Sequence, residues 1–168
     1  VQGAGGNTSV KLDASIMAIK ASGYLLKDIT EQEGLAFVNH RNIKNHIIAD
    51  KISAATEEEF SAFISSNILD TAQFPYLKPS IETGFHALLP YKYIIHTHSV
   101  YINIICCSKG GEYIVRNIFP EAIWVRYANP GKEITSTIAR AIAEEPAKII
   151  FMQNHGVIVS GDNANETY

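Results

Sequence analysis

The sequence predicts an α/β fold in which one sheet is flanked by helices. Short segments rich in β-branched and aromatic residues alternate with longer segments whose apolar residues recur at helical spacing. Several predicted strands follow one another with only a short turn between them, which favours antiparallel pairing. The sequence contains no internal repeat, low-complexity segment or linker, so residues 1–168 are expected to form a single domain.

Three strands are predicted in the N-terminal part of the chain. A glycine-rich turn at 3–7 precedes the first strand, and the segment 12–15 joins it to the second. Ser22 and Gly23 form the next turn, ahead of the third strand. The predicted strands are 7–11, 16–20 and 34–39.

The first helices are predicted from apolar spacing and from capping residues. In the clearest helix, 57–69, apolar residues recur three and four positions apart, at Phe60, Phe63, Ile64 and Ile68. Segment 50–55 is assigned to the same helical region. Ser80 is predicted to be the N-cap of a helix at 81–89, which Pro90 ends.

The C-terminal half of the chain alternates strands with helices. Turns at 129–131 and 153–156 contain Gly, Pro or Asn and separate these elements. The predicted strands are 93–98, 122–127, 148–152 and 157–160, the helices are 100–107 and 134–144, and 163–168 resembles the beginning of a further helix.

The composition argues against several classes of protein. A formal net charge of −3 lacks the basic footprint of a nucleic-acid-binding protein, and the longest apolar runs are too short to span a membrane. Cys106 and Cys107 are adjacent and are interpreted as two small hydrophobic residues, so a reduced, cytoplasmic setting is expected. Both ends of the sequence look truncated, which indicates a fragment of a longer protein.

Two histidines two residues apart, His96 and His98, are the most informative feature of the sequence. They follow a run of β-formers, and residues i and i+2 of a strand point to the same face. Both imidazoles then project into one small volume, as a bidentate metal site requires. The same spacing is also compatible with two ordinary, half-exposed strand residues.

A third histidine, His155, lies in a tight turn at the end of an apolar strand. Alone it is more typical of a turn residue than of a ligand. Together with His96 and His98 it would supply the three neutral nitrogens of a catalytic zinc site with one open position. The same ligands can also hold Mn²⁺, Co²⁺ or Fe²⁺.

Glu82 is the candidate for proton transfer. It lies four residues before His86, so the two side chains share a helix face. The alternative interpretation is a glutamate favoured in the first turn by the helix dipole. His86 is interpreted as a buried, hydrogen-bonded histidine that supports the helix.

Two polar turns, at 6–9 and 20–23, are candidates for binding an anion. Backbone N–H groups in such turns can surround an anion, and Lys20 adds a positive charge. Ser80, at the beginning of its predicted helix, would be a third anion-facing element.

The order of these motifs, GGNTS, KASG, PSIETGFH, HTH and NHG, resembles the class II aldolase/adducin family. That family includes zinc-dependent fuculose-phosphate and rhamnulose-phosphate aldolases and ribulose-phosphate 4-epimerase. The resemblance extends from Gly5 to about Asp162. Near 79–98 it is similar to the aldolase portion of longer bacterial proteins that also contain a dehydrogenase-like domain.

The resemblance implies an α/β/α sandwich around a mostly antiparallel sheet, usually assembled into a tetramer. It implies retro-aldol cleavage of a ketose, expected to be a sugar 1-phosphate, through a metal-bound enediolate. The residues it assigns are His96, His98 and His155 as zinc ligands, Glu82 as the catalytic acid/base, and Asn7, Ser22, Gly23 and Ser80 as the phosphate-binding residues.

The sequence departs from the family at one position of the phosphate-binding motif, and two alternative functions are compatible with the fold. Fuculose-type aldolases carry a second serine after the one that matches Ser80, and Ile81 occupies that position here. A 4-epimerase or dehydratase acting on a sugar phosphate would share the same histidines. A non-catalytic, adducin-like structural domain would keep the fold, but such domains lose the metal ligands.

Overall fold

The computed structural model describes residues 5–168, in which seven strands form one sheet in the order β3-β2-β1-β4-β7-β6-β5. The strands are β1 (Asn7–Lys11), β2 (Ile16–Lys20), β3 (Leu35–Asn39), β4 (Tyr93–Thr97), β5 (Ala122–Val125), β6 (Ile149–Met152) and β7 (Gly156–Gly161). The helices are α1 (His40–Ile48), α2 (Lys51–Ala54), α3 (Glu57–Ser66), α4 (Thr83–Leu88), α5 (Val100–Cys106), α6 (Gly111–Ile118), α7 (Lys132–Glu144) and α8 (Ala164–Thr167).

The pairing of the strands confirms the predicted, mostly antiparallel sheet. All neighbouring strands are antiparallel except β5 and β6, which are parallel. Strand β4 lies at the centre, and His96 is paired with Asn7 of β1 on one side and with Ile158 of β7 on the other. This register brings segments that are far apart in the sequence to one place on the sheet.

Helices cover both faces of the sheet, as the α/β/α prediction requires. On β6, Ile150 and Met152 belong to the larger core cluster, whereas Phe151 belongs to a second cluster with Cys106 and Val115. Side chains alternate between the two faces of a strand, so each face has its own apolar layer. Residues of α1, α3, α4 and α7 cover the first face, and residues of α5 and α6 cover the second.

Three predictions about helices differ from the structure. Helix 57–69 ends at Ser66, and the segment before it forms a separate short helix, α2. The helix predicted from Ser80 begins at Thr83, so Ser80 is not its N-cap; Glu82 occupies that position, and its side chain makes no capping hydrogen bond. The Glu82 carboxylate is therefore available to the interior of the protein.

Helices α1 and α6 were not predicted from the sequence. Only His40, Ile43 and Ile47 of α1 are buried, and the rest of the segment is largely polar. Helix α6 begins at Gly111, directly after Gly110, and glycine is unfavourable in helices. In both cases tertiary packing overrides a weak local pattern. Among residues 5–168, no helix is both long enough and apolar enough to cross a membrane.

Candidate metal centre

The three histidines singled out from the sequence meet at one end of the sheet. His96 is on β4, His98 follows β4, and His155 lies in the turn between β6 and β7. Each can offer one ring nitrogen, and these three nitrogens lie within 4.8 Å of one another. The centroid separations are 4.6 Å for His96 and His98, 5.0 Å for His96 and His155, and 4.9 Å for His98 and His155.

The local backbone explains how His155 reaches this position. Asn154 adopts a left-handed conformation with φ of 54°, which asparagine tolerates better than most residues. The backbone N–H of His155 then donates to the Met152 carbonyl at 3.1 Å and closes the turn. Because β7 pairs with β4, this turn faces His96 and His98.

The protonation of His96 suits a metal ligand. Its Nδ1 lies 3.0 Å from the Val157 carbonyl oxygen, which can only accept, so Nδ1 carries the proton and Nε2 keeps its lone pair. Burial lowers the pKa of His96 to about 4, and burial also lowers the pKa of His98. Both rings are therefore neutral near pH 7, and the Nε2 atoms of His96 and His98 are 2.8 Å apart.

The Glu82 carboxylate faces the same three rings. Its Oε1 lies 3.0 Å from His155 Nε2 and its Oε2 lies 3.5 Å from His96 Nε2. Burial raises the pKa of Glu82, but the nearby His155 and His96 rings and the hydrogen bond from Asn7 together outweigh this effect and lower the pKa to about 2. Glu82 is therefore ionised at neutral pH.

The environment of one buried oxygen, Oε1 of Glu82, indicates whether these residues can hold a cation. Glu82 Oε1 is buried without a well-aligned hydrogen bond, although His155 Nε2 is only 3.0 Å away. An anionic oxygen that is buried without a hydrogen bond is costly unless a cation shares the site. Three nitrogens and one carboxylate form a donor set that Zn²⁺ accepts, so the residues fit a divalent metal.

The four candidate phosphate-binding residues, Asn7, Ser22, Gly23 and Ser80, share a cavity of about 330 Å³ with Glu82 and two of the histidines. The cavity is lined by Gly5, Gly6, Asn7, Lys20, Ser22, Gly23, Ser80, Ile81, Glu82, His98, Pro130 and His155. The structure thus brings every predicted site residue except His96 to its surface, while His96 lies fully buried behind it. Pro130, from the loop after β5, was not singled out from the sequence.

Asn7 and Lys20, which the sequence suggested would face an anion, are hydrogen-bonded to other groups of the protein. Asn7 Nδ2 donates to Glu82 Oε2 at 2.7 Å and to Ser80 Oγ at 3.0 Å, so its amide is held by the protein. Lys20 Nζ donates to the Tyr24 and Ala21 carbonyls at 2.8 and 3.2 Å. Lys20 therefore contributes positive charge to the cavity while two of its hydrogen bonds stabilise the turn.

Two glycines allow the backbone around His96 to pack closely. A Cβ on Gly6 would lie 2.6 Å from the His96 carbonyl oxygen, and Gly6 has a φ of 79°. A Cβ on Gly156 would overlap the Thr97 carbonyl oxygen and lie 2.8 Å from His98 Cδ2. Gly6 of the GGNTS motif and Gly156 of the NHG motif are therefore explained by the close approach of the β1 and β7 segments to β4.

Gly156→Ala is expected to destabilise the protein by about 1–3 kcal/mol, the usual cost of overpacking. The added methyl group forces β7 away from Thr97 and displaces His98, so metal affinity falls as well. Urea unfolding and zinc titration measure the two effects. Gly110→Ala is the control, because nothing lies within 4 Å of its Cβ position; an equal loss of stability in both variants would contradict the explanation.

The stability of the metal-free protein is expected to fall as the pH is lowered from about 7 to about 5. Burial lowers the pKa of His86 to about 3 and of His96 to about 4, from an ordinary value of 6.5. The unfolded chain then binds more protons between pH 4 and 6.5, so acid favours unfolding by about 2 kcal/mol for each histidine at pH 5. Urea unfolding with a chelator present at the two pH values measures the change; equal stabilities would contradict it.

Both the sequence and the fold are similar to those of known proteins. The family model described as "Class II Aldolase and Adducin N-terminal domain" matches residues 1–168. A relative from Bacillus subtilis, described as an uncharacterized oxidoreductase, YuxG, is 31% identical over 176 residues. The match covers 98% of this chain but only 24% of that relative, so the chain spans about a quarter of the relative's length.

Solved structures share the fold along nearly the whole chain. The N-terminal class II aldolase domain of a Thermoplasma acidophilum protein has a TM-score of 0.83 and 24% identity, over 98% of this chain and 78% of that one. An L-fuculose 1-phosphate aldolase has a TM-score of 0.65 and 20% identity, over 99% and 69%. Escherichia coli YgbL, described as a putative aldolase/epimerase/decarboxylase, has a TM-score of 0.65 and 21% identity, over 99% and 72%. At these identities the likeness establishes the fold.

Proposed function

The chain belongs to the class II aldolase and adducin N-terminal domain family, and on that premise we propose that it catalyses metal-dependent retro-aldol cleavage of a ketose 1-phosphate. The observation that carries the proposal is Glu82, an ionised carboxylate whose unpartnered Oε1 faces three converging imidazoles. This arrangement combines a proton-transfer group with a metal site in one cavity. The likeness to an L-fuculose 1-phosphate aldolase supports the choice of substrate class.

His96, His98 and His155 are proposed to hold the metal, with Zn²⁺ favoured and Mn²⁺, Co²⁺ or Fe²⁺ as alternatives. When bound, a divalent ion supplies a Lewis acid that stabilises negative charge on substrate oxygens. The hydrogen bond from His96 Nδ1 to Val157 O keeps the Nε2 lone pair directed away from the backbone. A rigid ligand of this kind needs little rearrangement to bind a cation.

Glu82 is proposed to move the proton at the reacting carbon. Carbon–carbon cleavage leaves an electron-rich carbon that must be protonated, and the reverse reaction requires a base at the same position. In the resting site, contacts with His155 and His96 help to keep the pKa of Glu82 low. A ligand that replaces these contacts leaves burial dominant, which raises the pKa of Glu82 and prepares it for proton exchange.

The opposite side of the cavity is proposed to bind the phosphate. Ser80 Oγ accepts hydrogen bonds from Asn7 Nδ2 at 3.0 Å and from the Glu82 backbone N–H at 3.3 Å, which leaves its hydroxyl proton for a ligand. Gly23 has a φ of 87° and open space where a Cβ would lie, so its backbone can approach a ligand closely. Lys20 and Ser22 line the same cavity. Binding energy from a distal phosphate would orient the reacting carbons.

A small-molecule sugar phosphate is the proposed partner, and a homo-oligomer, by family resemblance a tetramer, is the proposed assembly. The single-domain organisation over 1–168, its origin in a longer protein and its cytoplasmic location also remain predictions.

Incubation of the metal-loaded protein with L-fuculose 1-phosphate, L-rhamnulose 1-phosphate and L-ribulose 5-phosphate tests the proposed reaction. Release of an aldehyde together with dihydroxyacetone phosphate from one of the two ketose 1-phosphates is the expected result. Conversion to an epimer or a dehydrated product without a released aldehyde would assign the alternative chemistry on the same site. A protein that binds no metal and converts none of these substrates would instead favour a structural domain.

A further inference from the structure

His86 connects the interior of the protein to the Glu82 carboxylate. Its ring is fully buried, and each of its nitrogens meets a different side chain of β1. Nδ1 lies 2.7 Å from Ser9 Oγ, and Nε2 hydrogen-bonds to Asn7 Oδ1. Asn7 and Ser9 are two residues apart on one strand and point to the same face, so one imidazole on α4 reaches both.

The directions of these hydrogen bonds are set by the charge on Glu82. An ionised carboxylate can only accept, so Asn7 must present its NH₂ group to Glu82 Oε2, 2.7 Å away. The second N–H of that group points to Ser80 Oγ at 3.0 Å. Asn7 Oδ1 therefore faces His86 and needs a donor there. It follows that Nε2 of His86 carries the proton, while Nδ1 accepts from the Ser9 hydroxyl.

We propose that His86 is a positioning residue, whose Nε2–H fixes the orientation of the Asn7 amide and thereby holds the amide N–H on Glu82. The proposal rests on the proposed function of Glu82. Without the donor, the Asn7 amide can rotate and place Oδ1 against the carboxylate. Glu82 would then lose its one well-formed side-chain hydrogen bond from Asn7 and move relative to His155 and His96.

The environment of His86 keeps this arrangement constant. Burial, followed by the influence of His96, lowers the pKa of His86 to about 3, so the ring keeps a single proton at neutral pH. The rings of His86 and Phe85 stack with their centroids 4.7 Å apart, which limits rotation of the imidazole. The donor facing Asn7 is therefore retained under the conditions in which Glu82 is ionised.

His40 provides a matched comparison. It is also buried, with a relative exposure of 7%, but its Nε2 meets the Asp13 backbone carbonyl and its Nδ1 has no partner. The His40 ring supports the beginning of α1 and is not connected to Asn7 or Glu82 by these bonds. Replacement of His40 therefore reports the effect of removing a buried imidazole in general.

Nuclear magnetic resonance of the metal-free protein tests the proposal without any assumption about the reaction. In the wild-type protein the His86 ring is expected to be the Nε2–H tautomer, and the Asn7 side-chain amide is expected to be protected from hydrogen exchange. His86→Phe should remove that protection, whereas His86→Gln, which can place an N–H near the Nε2 position, should restore it. His40→Phe should leave the Asn7 amide unchanged.

The proposal is overturned if the His86 ring is the Nδ1–H tautomer in the wild-type protein, a result that needs no variant to fold. It is also overturned if the Asn7 amide of a folded His86→Phe protein stays protected, or if His86→Gln and His86→Phe lose protection equally. Where turnover is measurable, His86→Phe should lower kcat roughly 10–100-fold and change KM little, the size of effect typical of residues that orient a metal site. Failure of the proposed reaction would leave the resonance measurements unaffected, so the two failures are distinguishable.

Discussion

Replacing Glu82 by glutamine is expected to lower turnover by about 10²–10⁴-fold, the usual contribution of a positioned acid or base. Glutamine keeps an oxygen that can accept from Asn7 Nδ2, which lies 2.7 Å from Glu82 Oε2 in the native site. Its N–H group can face His155 Nε2, where Oε1 now lies at 3.0 Å. The shape of the site is thus preserved and only the exchangeable charge is lost.

The measurement is kcat on the substrate identified by aldehyde release, together with urea unfolding and zinc content of the same preparation. The fold and the metal content are expected to be retained in Glu82→Gln. Glu58 is an exposed carboxylate on α3, so Glu58→Gln is the control, and this variant should convert the substrate at the native rate. Wild-type activity in Glu82→Gln would remove Glu82 from the proposed chemistry.

Replacing His96 by alanine is expected to weaken zinc binding by more than about 100-fold, since even the loss of a residue that only supports a metal ligand costs roughly 10–100-fold. His96 is the most buried of the three histidines and lies on the central strand of the sheet. Its removal deletes one of three nitrogens and leaves the Val157 carbonyl without its donor. Activity should disappear with the metal.

Zinc affinity is measured by competition with a chelator, and stability by urea unfolding at neutral pH. His46→Ala is the matched control, because His46 lies on α1 and stacks on Phe63 with centroids 3.8 Å apart, outside the candidate metal centre. An undiminished zinc affinity in His96→Ala would show that the ion binds elsewhere.

Much of the sheet could be predicted because its strands carry strong local patterns. Strands β1 and β2 begin and end where the sequence indicated, since apolar residues and a short turn define both. Helices α1 and α6 could not be predicted, because their buried residues are few and Gly110 and Gly111 weaken the local preference. Their formation depends on packing against the sheet.

The candidate site could be predicted only in part, because some of its features lie within one strand and others depend on how strands pair. The spacing of His96 and His98 is a property of one strand and is visible in the sequence. The pairing of Asn7 with His96 across β1 and β4 is a property of the sheet register. The position of Glu82 depends on α4 beginning at Thr83 rather than at Ser80, which leaves the Glu82 side chain free to turn toward the histidines.

The central claim is that His96, His98 and His155 together hold a divalent metal. A crystal structure of the zinc-loaded protein, with the ion located from its anomalous scattering, tests this claim most directly. The account predicts one zinc ion per chain at about 2.0–2.1 Å from the Nε2 atoms of all three histidines. A protein that takes up none of Zn²⁺, Mn²⁺, Co²⁺ or Fe²⁺, or an ion bound away from these three rings, would contradict the claim.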